Sequence, residues 1–304
     1  MNTENLYQNC KCCPHNCNVN RTIGEVGICK TNDNPLVASV FLHKGEEPVI
    51  SGEKGICNVF FAHCNLQCIY CQNYQISKNL SNDKKWKKSI GEVVDEIVSI
   101  LNIGVKLLGF VSPSHQIKQM LEIIDELQRR GFKPVIVYNS NGYDSVETLK
   151  MLDGIVDVYL PDFKYNSNKL AYEYSGVNDY FEVATSALLE MYRQKGSTIL
   201  LDDDGLIESG IIVRHLVLPC HYEDSIKVLE YIANEISPFL RISLMSQYFP
   251  TPNVYKFKNL DKEVDINDYS KVVEKLEEIG FKGWIQEINS SKMYRPDFDK
   301  KKPF

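Results

Sequence analysis

The chain lacks any run of about 18 apolar residues and any apolar leader-like segment near its first residues, so neither a membrane-spanning helix nor an export signal is expected. It also lacks an excess of basic charge. The formal net charge is −6 and the pI near 5.6, which argues against tight backbone-driven binding of intact nucleic acid. The run Asp83 to Lys88, with Trp86 among lysines, reads either as a local basic groove or as a solvated loop entering a helix, and Lys300 to Lys302 as a solubilising tail. What the chain has is core material: 304 residues at 43% hydrophobic content suit one large α/β domain or a domain with a small appendage. Ten cysteines, crowded toward the N-terminus at ligand-like spacing, point to a reducing compartment and to the cytoplasm rather than to a disulfide framework.

Three of these cysteines, Cys64, Cys68 and Cys71 in CNLQCIYC, follow the apolar stretch Val59-Phe60-Phe61. Soft thiolates so close in sequence favour an iron-sulfur cluster or zinc. No fourth cysteine follows within the next hundred residues, so three irons of a cubane can be held and the fourth left open to a small-molecule ligand. The competing reading is a zinc knuckle that borrows His63. A second constellation, Cys10, Cys13, Cys17 and Cys29 with Cys12 beside it, has the spacing C-x2-C-x3-C-x11-C and suits zinc or an auxiliary cluster.

After the cysteine loop, short β-rich runs alternate with amphipathic helices. Val93, Val94, Ile97, Ile100 and Leu101 share one helical face, as do Ile117, Met120, Leu121, Ile124 and Leu127. Strands are expected at 105–111, 134–138, 155–160, 211–218 and 239–245. With the strand at Val59 this makes about six β/α units, and hence a parallel sheet curling toward a barrel. The domain plan is an N-terminal Cys-rich extension (1–50), a partial (β/α)6 TIM-like barrel (51–250), and a C-terminal helix and tail packing on the barrel (251–304). Asp204-Gly205 marks an inserted hairpin in Leu200 to Gly210, either a lid or an edge piece. Polar groups collect where strands end: Ser112-Pro113-Ser114-His115, Asn139-Ser140-Asn141-Gly142, Asp162-Phe163-Lys164, Arg214-His215, and Ser243 with Met245, Gln247 and Tyr248.

The C-x3-C-x2-C motif with Tyr70 before its last cysteine resembles the signature of the radical S-adenosylmethionine (SAM) superfamily. The strings CPHNCNVNR, GEVGIC, GEEPVISG, NVFFAHCNLQCIYCQN, LPDFKY, RHLVLP and LMSQYFP, spread from Cys10 to Pro252, are similar to the PflX-like branch of the relatives of pyruvate formate-lyase-activating enzyme. The resemblance implies a 4Fe-4S cluster on Cys64, Cys68 and Cys71, and SAM chelated to the open iron with Tyr70 against the adenine. Where many superfamily members have a Gly-Gly-Glu-like segment, this chain has Ser112 and Ser114, whose hydroxyls can accept from the SAM ammonium. Asn139 and Ser243 are further SAM candidates, and Asp162 and Lys164 resemble an Asp-x-Lys pair near SAM. The chemistry implied is reductive cleavage of SAM to a 5'-deoxyadenosyl radical that takes hydrogen from a substrate, with a flavodoxin or ferredoxin as electron donor. Lys164, His215, His115 and Gln247 are the candidates for substrate binding or proton transfer, and Cys220 for hydrogen donation unless it is a buried structural thiol. A small-molecule substrate is expected, a queuosine-type lyase that releases the base of a modified nucleoside being one concrete case. Activation of a glycyl-radical enzyme partner and a non-catalytic zinc or Fe-S binding protein are the alternatives.

Overall fold

The computed structural model describes residues 4–80, 84–288, 290, 295–300 and 303, so Asp83 of the basic run and Lys301 and Lys302 of the tail lie outside the described residues. Nine strands build one sheet. Its order is β1 (Val37–His43), β2 (Ile56–Phe61), β3 (Leu107–Val111), β4 (Val135–Ser140), β5 (Val158–Pro161), β7 (Ile207–Leu216), β8 (Arg241–Met245) and β9 (Lys282–Ile285), with β6 (Leu200–Leu201) pairing off this path with β7. All neighbours from β2 to β9 along the path are parallel, and β1 is antiparallel to β2. The six expected strands are present. The sheet runs further, however, gaining β1 at one edge and β9 at the other. Among the described residues it does not close on itself, yet His43 of β1 and Trp284 of β9 line one cavity, so the row of strands curls.

The main crossover helices are α3 (Ile90–Leu101), α4 (Ile117–Arg129), α5 (Val146–Met151), α7 (Tyr180–Lys195), α8 (Tyr222–Tyr231) and α9 (Ile266–Ile279), while α1 (Pro48–Ser51), α2 (Tyr74–Ser77) and α6 (Asn168–Ser175) are shorter. Helix α3 starts in a full capping box between Ser89 and Glu92, which satisfies two backbone donors at once. Lys88 just before it pairs with Glu96 at 2.7 Å, so this end of the basic run is a helix entry. Helix α4 buries Ile117, Met120, Leu121, Ile123, Ile124 and Leu127 on one face. Each such aliphatic side chain contributes roughly 1.5–3 kcal/mol when fully withdrawn from water.

Two apolar layers result from the two faces of each strand. Outward residues such as Val59, Phe110, Tyr138, Val213 and Leu244 pack under the helices. Inward residues Ile56, Leu107, Val137, Val158 and Ile212 form a plug inside the curl. Because side chains alternate along a strand, the next inward row lies toward the strands' C-terminal ends. There the lining turns polar: Asn58, Asn139, Asp162, Arg214 and Ser243.

The hairpin at 200–210 is real, with Leu200 opposite Ser209 and Leu201 opposite Ile207. It is not a lid. It precedes β7 and so sits at the strands' N-terminal ends, where Lys106 at the foot of β3 reaches Asp202 at 2.7 Å and Asp204 at 2.6 Å.

Candidate active site

The cysteine loop leaves β2, whose six residues are all buried. Its backbone is anchored at several points: Ala62 N–H donates to Leu36 O at 2.8 Å, His63 N–H to Ile76 O at 2.7 Å, and Ile69 N–H to Tyr174 O at 2.8 Å. His63 adopts φ 68°, a left-handed turn that swings the chain from strand into loop. Its ring Nδ1 lies 2.9 Å from Cys29 O and is absent from the cavity lining, so the borrowed-histidine knuckle finds no support.

Cys64, Cys68 and Cys71 line a single cavity of about 430 Å³ at the C-terminal ends of the strands. The sulfurs are met by donors: Leu66 N–H at 3.4 Å and Asn141 Nδ2 at 3.3 Å from Cys64 Sγ, and Ser175 Oγ at 3.0 Å from Cys68 Sγ. Hydrogen bonds to sulfur of this kind tune the potential of an iron-sulfur centre, so the donor set fits such a cluster. Burial pushes the Cys64 thiol up to about 12 and the Cys68 thiol to about 11 and raises Cys71. Loading of iron therefore has to expel protons from these thiols. Among the described residues, no three His, Cys, Asp or Glu side chains converge on one single-ion position.

Ten of the sequence-selected residues meet in this cavity: the three cysteines with Tyr70, Ser112, Asn139, Asp162, Lys164, Ser243 and Gln247. Tyr70 is fixed by the Tyr165 hydroxyl at 2.7 Å. Ser112 sits at φ 49°, ψ 54°, a conformation unusual for a residue with a Cβ, at the end of β3. Lys164 is ion-paired with Asp162. Burial would depress the Lys164 ammonium, but Asp162 outweighs it and the value is raised. Asp162 thus favours the ammonium form of Lys164 in this cavity. Gln247 is bridged to Gln72 and Gln286, tying the cysteine loop to the ends of β8 and β9.

Three expected residues lie elsewhere. Ser114 donates to Asp144 at 2.5 Å, and Tyr138 and Ser140 bond the same buried carboxylate, so Ser114 belongs to a knot between the ends of β3 and β4. His115 is buried with Nε2 at 2.9 Å from Ala62 O, and burial lowers it to about 3. His215 is on the outward face of β7, with Nδ1 2.6 Å from Phe163 O, and burial lowers it to about 4. Neither ring lines the cavity, so neither reaches a substrate there. Cys220 is exposed at φ 63° and outside the cavity, which removes both the hydrogen-donor and the buried-thiol readings.

The cavity also holds Arg214, which the sequence placed at a strand end without a role, and Glu46 and Glu47 of GEEPVISG. Arg214, inward where His215 is outward, donates Nε to Glu47 Oε1 at 2.8 Å and Nη2 to Glu47 Oε2 at 2.5 Å, and it also bonds Glu46. Asn58 Nδ2 donates to Glu46 Oε1 at 2.7 Å. Gly109 makes room for that amide, since a Cβ there would stand 2.1 Å from Asn58 Oδ1. The string GEEPVISG carried this signal, but its partner lies 167 residues away.

A family model described as a 4Fe-4S single cluster domain matches residues 50–176, which include all three loop cysteines. An uncharacterized protein of Methanocaldococcus jannaschii is 28% identical over 278 residues, covering 89% of this chain and 75% of its own. Among solved structures, a radical SAM methyltransferase from Sphaerobacter thermophilus is similar with a TM-score of 0.57 at 11% identity, over 77% of this chain and 67% of that one. Streptococcus suis SuiB bound to S-adenosylmethionine is similar with a TM-score of 0.50 at 13% identity, over 77% of this chain and 50% of that one. The fold is thus an α/β fold with a parallel sheet similar to that of radical SAM enzymes. Among the described residues no helix is long and apolar enough to cross a membrane.

Proposed function

We propose that this chain is a radical SAM enzyme acting on a small molecule, with a 4Fe-4S cluster on Cys64, Cys68 and Cys71. One observation carries the reading: three thiols of one loop share a cavity with polar side chains from the C-terminal ends of consecutive parallel strands. When bound, the cluster and SAM supply reductive cleavage of a sulfonium C–S bond and a 5'-deoxyadenosyl radical that removes a substrate hydrogen.

The chain's own residues position and shield. Lys164, kept charged by Asp162, would offer an ammonium to the SAM carboxylate, Ser112 a hydroxyl oxygen to the SAM ammonium, and Asn139 an amide to the SAM ribose or carboxylate. Leu66, Val111, Leu216 and Met245 make the walls apolar and limit water around the reacting carbon. Arg214 with Glu46 and Glu47 gives the cavity a charged, polar face for the substrate. The volume of about 430 Å³ falls within the range of about 300–1,000 Å³ typical of small-ligand pockets, in keeping with a site that binds SAM. Release of the base from a modified nucleoside is the concrete case we favour, and a flavodoxin or ferredoxin the electron donor. The motif strings similar to the PflX-like branch support the radical SAM reading itself.

The test is anaerobic reconstitution with iron and sulfide, then SAM and dithionite, reading 5'-deoxyadenosine by liquid chromatography across nucleosides, peptides and small metabolites. Stimulation by a nucleoside, lost in Cys64→Ala, Cys68→Ala and Cys71→Ala, is the expected result. No cluster and no SAM cleavage, with zinc retained, would return the chain to a metal-binding protein. A stable glycyl radical in a partner, with no small-molecule stimulation, would make it an activating enzyme.

A further inference from the structure

The N-terminal cysteines gather behind the cysteine loop, not in the cavity. Cys10, Cys13, Cys17 and Cys29, with Cys12 beside them, line a narrow space of about 10 Å³, about the size of one small ion or water. Backbone turns bring them there: Asn16 N–H donates to Cys13 O at 3.1 Å, Cys10 N–H to Val19 O at 3.0 Å, and Lys30 N–H to Gly27 O at 3.1 Å. Gly27 is required because a Cβ would stand 2.6 Å from Cys17 Sγ. Ile28 N–H points at Cys17 Sγ from 3.5 Å, and Thr31 Oγ1 lies 3.1 Å from Cys29 Sγ, so two of the sulfurs already have the polar neighbours that thiolates bind.

A second, independent observation is Arg21. It lines the same space, is 1% exposed, and has no carboxylate partner among the described residues. Its bonds go to His115 O at 2.7 Å, Asn32 O at 2.8 Å and Cys10 Sγ at 3.9 Å, its Cζ lies 3.5 Å from the Tyr7 ring centroid, and Nε has no partner among the described residues. A buried cation without an anion is costly. The groups at hand that can supply negative charge are the thiols.

We propose that Cys10, Cys13, Cys17 and Cys29 bind one zinc ion, and that buried Arg21 is the counter-charge of the resulting tetrathiolate. Four S–H bonds lose their protons to solvent and four Zn–S bonds form, with no change of oxidation state. The ion and its ligands carry a charge of −2, of which Arg21 offsets one unit. Since the thiols do not converge on one point, loading includes rotation of their side chains. Cys12 also lines the space; we leave it out of the ligand set as the neighbouring thiol, its S–H donating to Leu6 O at 3.8 Å.

The bound ion would brace the cysteine loop. Cys29 O meets His63, Ile28 O accepts from Asn79 at 2.9 Å, His15 Nε2 lies 2.7 Å from Asn65 O, and Asn79 Oδ1 accepts from Cys64 N–H at 3.1 Å. The proposal is independent of the reaction at the cavity.

The experiment uses the full chain, purified in air so that iron-sulfur centres are lost, and measures metals by mass spectrometry and zinc ligation by X-ray absorption. One zinc per chain with sulfur-only ligation at about 2.3 Å is expected. Arg21→Gln should fold and release zinc to a chelator faster, with affinity reduced about tenfold to a hundredfold, whereas Cys220→Ser should release it as the parent does. Iron and the visible absorption of a cluster after anaerobic isolation of Cys64→Ala/Cys68→Ala/Cys71→Ala would overturn the zinc assignment. Absence of any metal, or nitrogen or oxygen in the ligand shell, would overturn the tetrathiolate. Arg21→Gln releasing zinc at the parent rate would overturn the counter-charge role.

Discussion

Replacing Arg214 by methionine should destabilise the chain strongly and in a pH-dependent manner. The guanidinium and the two carboxylates it joins are 11%, 11% and 5% exposed, so removing the cation strands two acids in a place water scarcely reaches. Breaking a buried ion pair in this way costs about 3–5 kcal/mol, while replacing the whole set by neutral groups of similar size is nearly free. With an m-value of about 3 kcal/mol per molar urea, the single variant should unfold at a midpoint lower by about 1–2 M. The pH dependence follows from Glu46. Burial pushes its carboxyl up, but Arg214 outweighs burial and holds it below the ordinary value, so the parent keeps this contribution above pH about 4.5 and loses it as pH falls further. In Arg214→Met the largest influence opposing burial is gone and only Asn58 and His43 still favour the carboxylate, so the folded-state value rises and the deficit should grow as pH rises from 5 to 8. Urea titrations of the iron-free chain at both pH values test this, with Glu46→Gln/Glu47→Gln/Arg214→Met as the comparison. A single-variant loss below about 1 kcal/mol, or a triple variant as damaged as the single one at pH 8, would show that the charges are solvated and the reasoning wrong.

Asp162→Asn removes the group that raises Lys164 and leaves the burial that depresses it, so SAM binding by calorimetry should weaken about tenfold and fall further with rising pH, a trend the parent lacks. His215 is depressed to about 4 by burial, so its neutral form contributes stability above pH 6.5 that is lost as pH falls through 4; thermal melts should show up to about 3 kcal/mol of acid sensitivity that His215→Asn lacks. Ser112→Gly relieves the left-handed conformation and should raise stability or leave it unchanged while weakening SAM binding, whereas Ser112→Val should cost roughly 1–3 kcal/mol. Gly283→Ala places a Cβ 1.9 Å from Ile242 O and should detach β9, read as faster amide exchange in β8 and β9 with Lys282–Ile285 affected first.

Helix periodicity and strand-end polarity made the interior of the sheet legible. Its edges were not. β9 reads KGWI, with a glycine, a lysine and no alternation, and β1 lies before the cysteine loop, outside the β/α alternation that starts there. Within strands, the sequence could not tell which of two adjacent polar residues faces inward: Arg214 and His215 are equally polar, and only the register of β7 against β8 separates them. The Glu46-Glu47 to Arg214 contact has no local signature, because the loop before α1 meets β7 only once the sheet has curled. The tie from Ser114 to Asp144 was hidden for the same reason, a short-range serine pattern serving a buried carboxylate thirty residues on.

The gap between β1 and β9 has a mechanical consequence. In a closed barrel every strand is clamped by hydrogen bonds on both sides, and its bore is set by strand number and shear. Here the ring is interrupted, and residues from both borders of the interruption face the same chamber. Its girth can therefore change by splaying the two margins apart, without breaking a ladder bond between any paired strands. Bulk added to Trp284 or His43 alters the room available to a ligand while the cysteine loop, carried by β2 between paired neighbours on both sides, stays where it is. A seam of this kind lets the size of the accepted molecule drift over evolution independently of the chemistry done to it.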